Sequence, residues 1–398
     1  MQCSIALDCY EGLQMLHRMD IDEQLARAPR TQLTLSNANP IKANLPRETN
    51  NYGAPHYANE NGPIRPALSR YEFKQHFYYG STEIPMVLEA LQFPRDPERE
   101  AQGLPSFPYR FEHGTATRWV TQEEALLVFL KRLRTRGSCI IHLENFFGRS
   151  MGYLSEVISS VLDFLASTWI KWKVEHLDTR VFDNHRFLDY SNCLKRHGLG
   201  LPGVCAFIDG CFHPINRPSA SVEGQQIQEG FYSGAKKSHG LNFEIISGPD
   251  GLILRAAGPV PGRHHDVYLA EATKVRELFQ ENGPLHGLSL LGDKAYIGFG
   301  TDIIHPFIGA VPGSLEAFIN EHISCYRIEV EHDIGGVIEQ AGALQHPMNI
   351  DTQMPEVWFR AAVLFYNIHS CVYCGNQTAI RFNCPVMSLE TYLSRPAI

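Results

Sequence analysis

The chain has 398 residues, with 35 Lys+Arg against 43 Asp+Glu for a formal charge of −8, and 44% hydrophobic and 20% charged residues. That balance describes an ordinary globular chain with enough apolar material for a large core. No stretch reaches the roughly 18 consecutive apolar residues that a membrane span requires, and the N-terminus lacks the basic-then-apolar layout of a secretory signal, so the nucleus or the cytoplasm is the expected location, without a membrane partner.

The acidity is uneven, which matters because nucleic-acid phosphates are met by Lys and Arg. Residues 201–345 hold 9 Lys+Arg against 17 Asp+Glu, whereas residues 118–200 hold 12 against 9. A group of metal-binding carboxylates would itself be negative until cations fill it, so the surplus does not exclude DNA as a partner. The ten cysteines are scattered along the chain, and reduced thiols are expected.

In chain order, residues 1–117 are expected to form an arm, partly irregular. A helix at the start gives way to a polar stretch from Ser36 to Pro66 rich in Asn, Pro and Gly, helical character returns over Tyr71–Leu91, and Pro94–Pro108 reads as a loop. Residues 118–200 are expected to form a helix-turn-helix-like domain. Thr121 and Glu124 fit a capping box, with Leu126, Leu127, Phe129, Leu130 and Leu133 as the buried stripe. A short helix over Ile140–Phe147 follows, then Gly148, then a longer helix opened by Ser150 and running to about Ala166. Lys131, Arg132, Arg134 and Arg136 make a basic cluster that suits either DNA contact or a solvated helical face.

Beyond Leu201 the hydrophobic period shortens. Val204–Ile208 is an apolar run ending at Asp209; Leu241–Ile246 and Leu252–Ala257 are joined by Gly248-Pro249-Asp250-Gly251, a hairpin signal; Leu288–Leu291 ends at Gly292-Asp293. Helices are expected near 266–280 and over Leu315–Gln340, giving a mixed α/β layer over residues 201–345, followed by a C-terminal helix and tail over 346–398.

Two acids, Asp209 and Asp293, therefore end apolar runs, Asp266 opens a helix after Pro261-Gly262-Arg263-His264-His265, and Glu331 lies on a helix one turn beyond Arg327. Carboxylates held on rigid elements beside a sheet edge suit hard divalent cations, and two such ions can serve phosphodiester cleavage. Each acid taken singly also suits a helix cap, a turn or a solvated helix face. Glu329, two residues from Glu331, is expected to face elsewhere.

Together, Phe207-Ile208-Asp209-Gly210, Gly262-Arg263-His264-His265-Asp266, Leu291-Gly292-Asp293-Lys294-Ala295-Tyr296 and Arg327-Ile328-Glu329-Val330-Glu331, at acid spacings of 57, 27 and 38 residues, resemble the ordered blocks of Harbinger/PIF-type transposases, which are DDE superfamily endonucleases. Gly230–Gly240, with Gly234, Lys236, Lys237 and His239, is similar to the family's lysine-bearing block; Asn320 and Asn367-Ile368-His369 also fall where the family has Asn- and His-containing strings. The resemblance implies a ribonuclease-H-like mixed sheet with flanking helices. It further implies that Asp209, Asp266, Asp293 and Glu331 hold Mg²⁺ or Mn²⁺, two ions together, to hydrolyse and rejoin DNA strands. Arg327, one turn before Glu331, can steady it; His265 suits either approach to a phosphate or backbone hydrogen bonding at a helix start, and Lys236 and Lys237 suit either DNA contact or a solvated turn. The resemblance further implies a separate Myb-like protein as DNA-binding partner, with oligomers allowed. The chain departs from the family at Cys211-Phe212 and at Tyr366-Asn367-Ile368-His369. The alternative function is a domesticated DNA-binding or scaffold protein without turnover.

One further constellation stands apart. His369, Cys371, Cys374 and Cys384 could hold zinc tetrahedrally, but Trp358–Cys374 also reads as an apolar helix in which these are small core residues, and that reading is preferred.

Overall fold

The computed structural model describes residues 68–110, 117–137, 141–219 and 228–394. The described residues from Leu68 onward belong to one compact unit. The expected first helix and the polar arm from Ser36 to Pro66 lie outside the described residues.

The helical part begins with α1 (Arg70–Phe77) and α2 (Ile84–Leu91). Helical character is expected over Tyr71–Leu91, and within that stretch Tyr78 adopts a left-handed conformation (φ 73°) and returns its N–H to the Lys74 carbonyl, which closes α1. The segment expected as a loop contains α3 (Pro97–Ala101) and the strand β1 (Phe107–Arg110), which pairs antiparallel with β2 (Thr117–Val120).

Helix α4 (Gln122–Arg134) is capped by Thr121, whose hydroxyl accepts from the Glu124 N–H at 3.1 Å. The Glu124 carboxylate takes Arg149 Nε at 3.2 Å and the Tyr153 hydroxyl at 2.7 Å, and so ties α4 to the next long helix. After α5 (Ile141–Phe147), the helix α6 (Met151–Leu165) continues as π-helix over Ala166–Glu175, and α7 (Asn184–Arg196) completes the set.

These helices are built into the same core as the sheet. The Phe129 ring of α4 stacks on Trp358 at 5.4 Å, and the π-helical turns pack on the outer hairpin strand of the sheet. The described residues of 118–200 thus lie in the same compact unit as the sheet.

The main sheet is mixed. Its centre is β3 (Val204–Pro214), antiparallel to β5 (Ser238–Ser247), which pairs antiparallel with β6 (Ile253–Pro261) and, at its start, with the short β4 (Tyr232–Ser233). On its other side β3 runs parallel to β7 (Ser289–Leu291), and β7 parallel to β8 (Ile303–Ile304). The β5–β6 turn uses Gly251 at φ 73°, a conformation that favours glycine, and its N–H donates to the Gly248 carbonyl at 2.9 Å.

Helix α8 (Asp266–Ala272) packs against β3, β5 and β6, and α9 (Leu315–Gln340) against β3 and β5. The stripe Ile319, Ile323, Tyr326, Val330, Asp333 and Val337, with Glu329 beside it, is what α9 buries, at the three- and four-residue spacing of one helical face. Following the short α10 (Ile350–Gln353), α11 (Pro355–Val372) runs through the core. Its Phe359 stacks on Phe243 at 4.3 Å, and its Asn367 amide accepts from the Ile253 N–H at 2.9 Å and donates to the Ile253 carbonyl at 2.7 Å. Helices α12 (Gln377–Phe382) and α13 (Leu389–Tyr392) close the unit.

Candidate functional site

Asp209 lies in the interior of β3, opposite Ile245, and not at a strand end as the apolar run suggests, because the pairing with β5 carries the strand on to Pro214. Its carboxylate accepts from the Gly210 N–H at 2.9 Å and is only 17% exposed. Burial pushes its pKa up to about 6, with the Asp293 and Glu331 carboxylates acting in the same direction and Gly210 N–H and Arg327 against them.

Asp293 comes to Asp209 through the parallel register. Phe207 pairs with Leu291, and each acid stands two residues later. Beyond β7 the chain turns, and the Asp293 carboxylate caps that turn by accepting from the Ala295 N–H at 2.8 Å.

Glu331 arrives from α9, 122 residues after Asp209 in sequence. The Arg327 guanidinium stands 2.7 Å from the Glu331 carboxylate and 3.7 Å from that of Asp209, so one cation links the helix to the central strand. Glu331 itself is 48% exposed. It sits at the rim of the buried stripe of α9 instead of facing the sheet squarely, one position past Val330. Among the described residues, no three of His, Cys, Asp and Glu are drawn together as a finished metal cage, and Arg327 is the charge between two of the acids.

Asp266 is the first residue of α8, half-buried, and approaches β3 at Gly210. A side-chain carbon at position 210 would fall 2.3 Å from Asp266 Oδ1, so any larger residue there would push this carboxylate aside. Successive side chains leave a strand on opposite faces, which puts Asp266 on the side away from the direction in which Asp209 departs. Burial raises the Asp266 pKa, with Asp293 adding to the effect and His265 and Lys236 opposing it. Asp293 thus acts electrostatically on both Asp209 and Asp266.

Another residue of the Asp293 block gains its interest only from the fold. Tyr296 is fully buried, and its hydroxyl has no hydrogen-bond partner among the described residues. Burial raises its pKa well above the ordinary phenol value, and Glu244, Asp266, Asp209 and Asp293 all push the same way. The hydroxyl is therefore a neutral donor amid carboxylates; an apolar block ending Asp-Lys-Ala-Tyr carries no local signal of that.

The other candidates divide. Lys236 and Lys237 are exposed in the β4–β5 turn, and His265 is exposed at the N-terminus of α8. Within the basic cluster, Arg132 is buried over the Trp358 ring, Lys131 meets His76 Nδ1 at 2.6 Å, and Arg134 donates to the Gln340 and Gln75 carbonyls. Those three side chains hold α4 in place instead of forming an open DNA-facing row, and of the cluster Arg136 alone is exposed. Asn320 bonds both backbone groups of Phe307, at 2.7 and 2.9 Å. Of the zinc candidates, His369 packs between the Tyr78 and Tyr373 rings, Cys371 and Cys384 are buried, and Cys374 is exposed; the four do not form a metal group among the described residues. Glu329 faces away from the acids and pairs with Arg381, His332 and Thr378.

The chain matches no curated protein and no solved structure. Residues 208–367 match a family model, and they begin one residue before Asp209 and include all four acids. That family is the DDE superfamily endonuclease, so the match supports a transposase-derived DDE endonuclease domain over this segment.

Proposed function

We propose that this protein is a divalent-metal-dependent DNA endonuclease of the DDE type, with Asp209, Asp293 and Glu331 as the acids that hold Mg²⁺ or Mn²⁺ and Asp266 as a flanking carboxylate beside Asp293. The observation that carries the reading is the meeting of Asp209 and Glu331 on the Arg327 guanidinium, with Asp293 level with Asp209 on the neighbouring strand. A ribonuclease-H-like sheet is supported by the order β6-β5-β3-β7-β8, in which the first three strands are antiparallel and the last two run parallel to the centre. The Harbinger/PIF subtype rests on the block order of the four acids, and a nuclear location and a Myb-like partner go with it.

The donor set fits hard cations. It consists of carboxylate oxygens, and burial, with the Asp293 and Glu331 carboxylates adding to it, raises the Asp209 pKa. When bound, such ions activate an attacking oxygen and take up charge on the leaving oxygen of a phosphodiester. The protein's own part is positional: β3 and the Ala295 N–H fix two carboxylates, while Arg327 offsets their repulsion and orients Glu331. No Ser, Cys or Tyr nucleophile is needed.

The test is nicking of supercoiled plasmid with Mg²⁺ or Mn²⁺, with EDTA and the Asp209→Ala, Asp293→Ala and Glu331→Ala variants as controls. Metal-dependent nicking lost in all three variants is expected. Nicking that survives Asp209→Ala overturns the assignment.

A further inference from the structure

An open cleft of about 630 Å³ is lined by Arg217, Gln228, Glu229, Tyr232, Gly234, His239 and Arg263. Three chain segments build it. The β4–β5 hairpin supplies Tyr232, Gly234 and His239, with the Tyr232 and His239 rings 5.3 Å apart and Tyr232 43% exposed. The turn after β6 supplies Arg263, tied down by its N–H to the Gly230 carbonyl at 3.1 Å. The stretch after β3 supplies Arg217, whose Nε and Nη2 both donate to Gln228 Oε1, at 3.1 and 2.9 Å. Gln228 is in turn buried and donates to the Pro218 carbonyl at 2.6 Å.

This arrangement has the chemistry of a polyanion site. Arg217 is held by a neutral amide, so its charge is not cancelled by that contact. Neither Arg217 nor Arg263 has a carboxylate partner among the described residues, and both are exposed. Glu229 is the one acid in the lining, against two guanidinium groups. The cleft is linked to one of the acids, Asp266: Arg263 precedes it by three residues, and Lys236, in the same hairpin as Gly234 and His239, is near enough to act on it electrostatically.

We propose that this cleft binds a single-stranded DNA segment flanking the phosphodiester to be cut, with Arg217 and Arg263 on phosphates and the Tyr232 ring stacked on a base. The proposal rests on the endonuclease reading for the identity of the strand. Basic groups that track a backbone beside an exposed aromatic ring are the means by which proteins hold single strands without reading sequence. The volume falls within the ~300–1,000 Å³ of small-ligand sites, room for a nucleotide or two.

The experiment is fluorescence anisotropy of the full chain with a labelled oligothymidylate in EDTA, so that binding is read without metal. Tyr232→Ala is expected to weaken binding about tenfold and Tyr232→Phe to restore it. Arg263→Ala is expected to weaken binding and lower the salt slope by about 0.7, one phosphate contact on a single strand. Both side chains are exposed, and thermal melts verify that the variants fold. Absence of binding by the wild-type chain, unchanged binding by both Ala variants, or a blunt duplex that binds as well and depends equally on Tyr232 each overturns the proposal. Silent cleft variants in a chain that nicks plasmid through Asp209 sink the cleft alone. Weakened cleft variants in a chain whose nicking ignores Asp209 sink the endonuclease reading alone.

Discussion

Glu329 and Glu331 stand two residues apart on α9 and have opposite fates: Glu329 is 2% exposed and paired with Arg381, and Glu331 is 48% exposed and paired with Arg327. Burial decides what each substitution should cost. Glu329→Ala strips a buried network of its charge partner and is expected to lose about 3 kcal/mol of stability. Glu331→Ala touches an exposed position and should change stability by no more than about 0.5 kcal/mol while abolishing metal-dependent nicking. Chemical denaturation beside the plasmid assay checks both; a stable Glu329→Ala chain would show that the buried pair is not structural.

Arg327 neutralises Asp209 and Glu331 together. In metal-free buffer Arg327→Gln is expected to cost about 1 kcal/mol, since the pair is partly exposed. The remaining carboxylates should then gain more from a divalent cation, so Mn²⁺ should raise the melting temperature of the variant by more than that of the wild type. An equal or smaller Mn²⁺ shift in the variant would remove Arg327 from the electrostatics of the site.

The pH dependence originates in Asp209. Burial raises its folded-state pKa from 3.8 to about 6, so the folded chain holds a proton that the unfolded chain releases. This stabilising contribution is complete below about pH 4 and is lost as pH rises through about 6. Asp209→Asn does not undergo that loss. Its melting temperature should equal that of the wild type near pH 4 and exceed it at pH 7.5, by the equivalent of about 2 kcal/mol. Parallel melting curves across pH 4–8 for the two chains would contradict it.

Tyr296 carries a buried hydroxyl with no partner among the described residues. Leaving such a group unsatisfied costs about 1–3 kcal/mol, so Tyr296→Phe is expected to stabilise the metal-free chain by about 1 kcal/mol in urea denaturation. A less stable variant would mean that the hydroxyl is hydrogen-bonded in solution.

How much of the fold and the site is legible in the sequence depends on the range of the interaction. Thr121 and Ser150 cap their helices, Leu315–Gln340 is one helix, and Gly248–Gly251 makes the hairpin turn. Each of these is decided by neighbours a few residues away, through side-chain caps, three- and four-residue periodicity and glycine's conformational freedom, and so each is written locally in the sequence. The break at Tyr78, the extension of β3 past Asp209, the burial of Arg132 over Trp358 and the approach of Asp266 to Gly210 are not legible there, because each depends on a partner that is distant in the chain or on a conformation that periodicity does not register.

The sequence by itself determined which residues can carry charge chemistry and the order of elements that bear them: Asp209 and Asp293 after apolar runs, Asp266 opening a helix, and Glu331 one turn from Arg327. Only the tertiary structure decided that Arg327 joins Glu331 to Asp209, that the register of β3 with β7 brings Asp293 level with Asp209, and that Arg217, Tyr232 and Arg263 line one cleft. The reason is physical: strand register and helix docking are set by burying apolar surface across the whole unit, and they fix where side chains from separate segments meet.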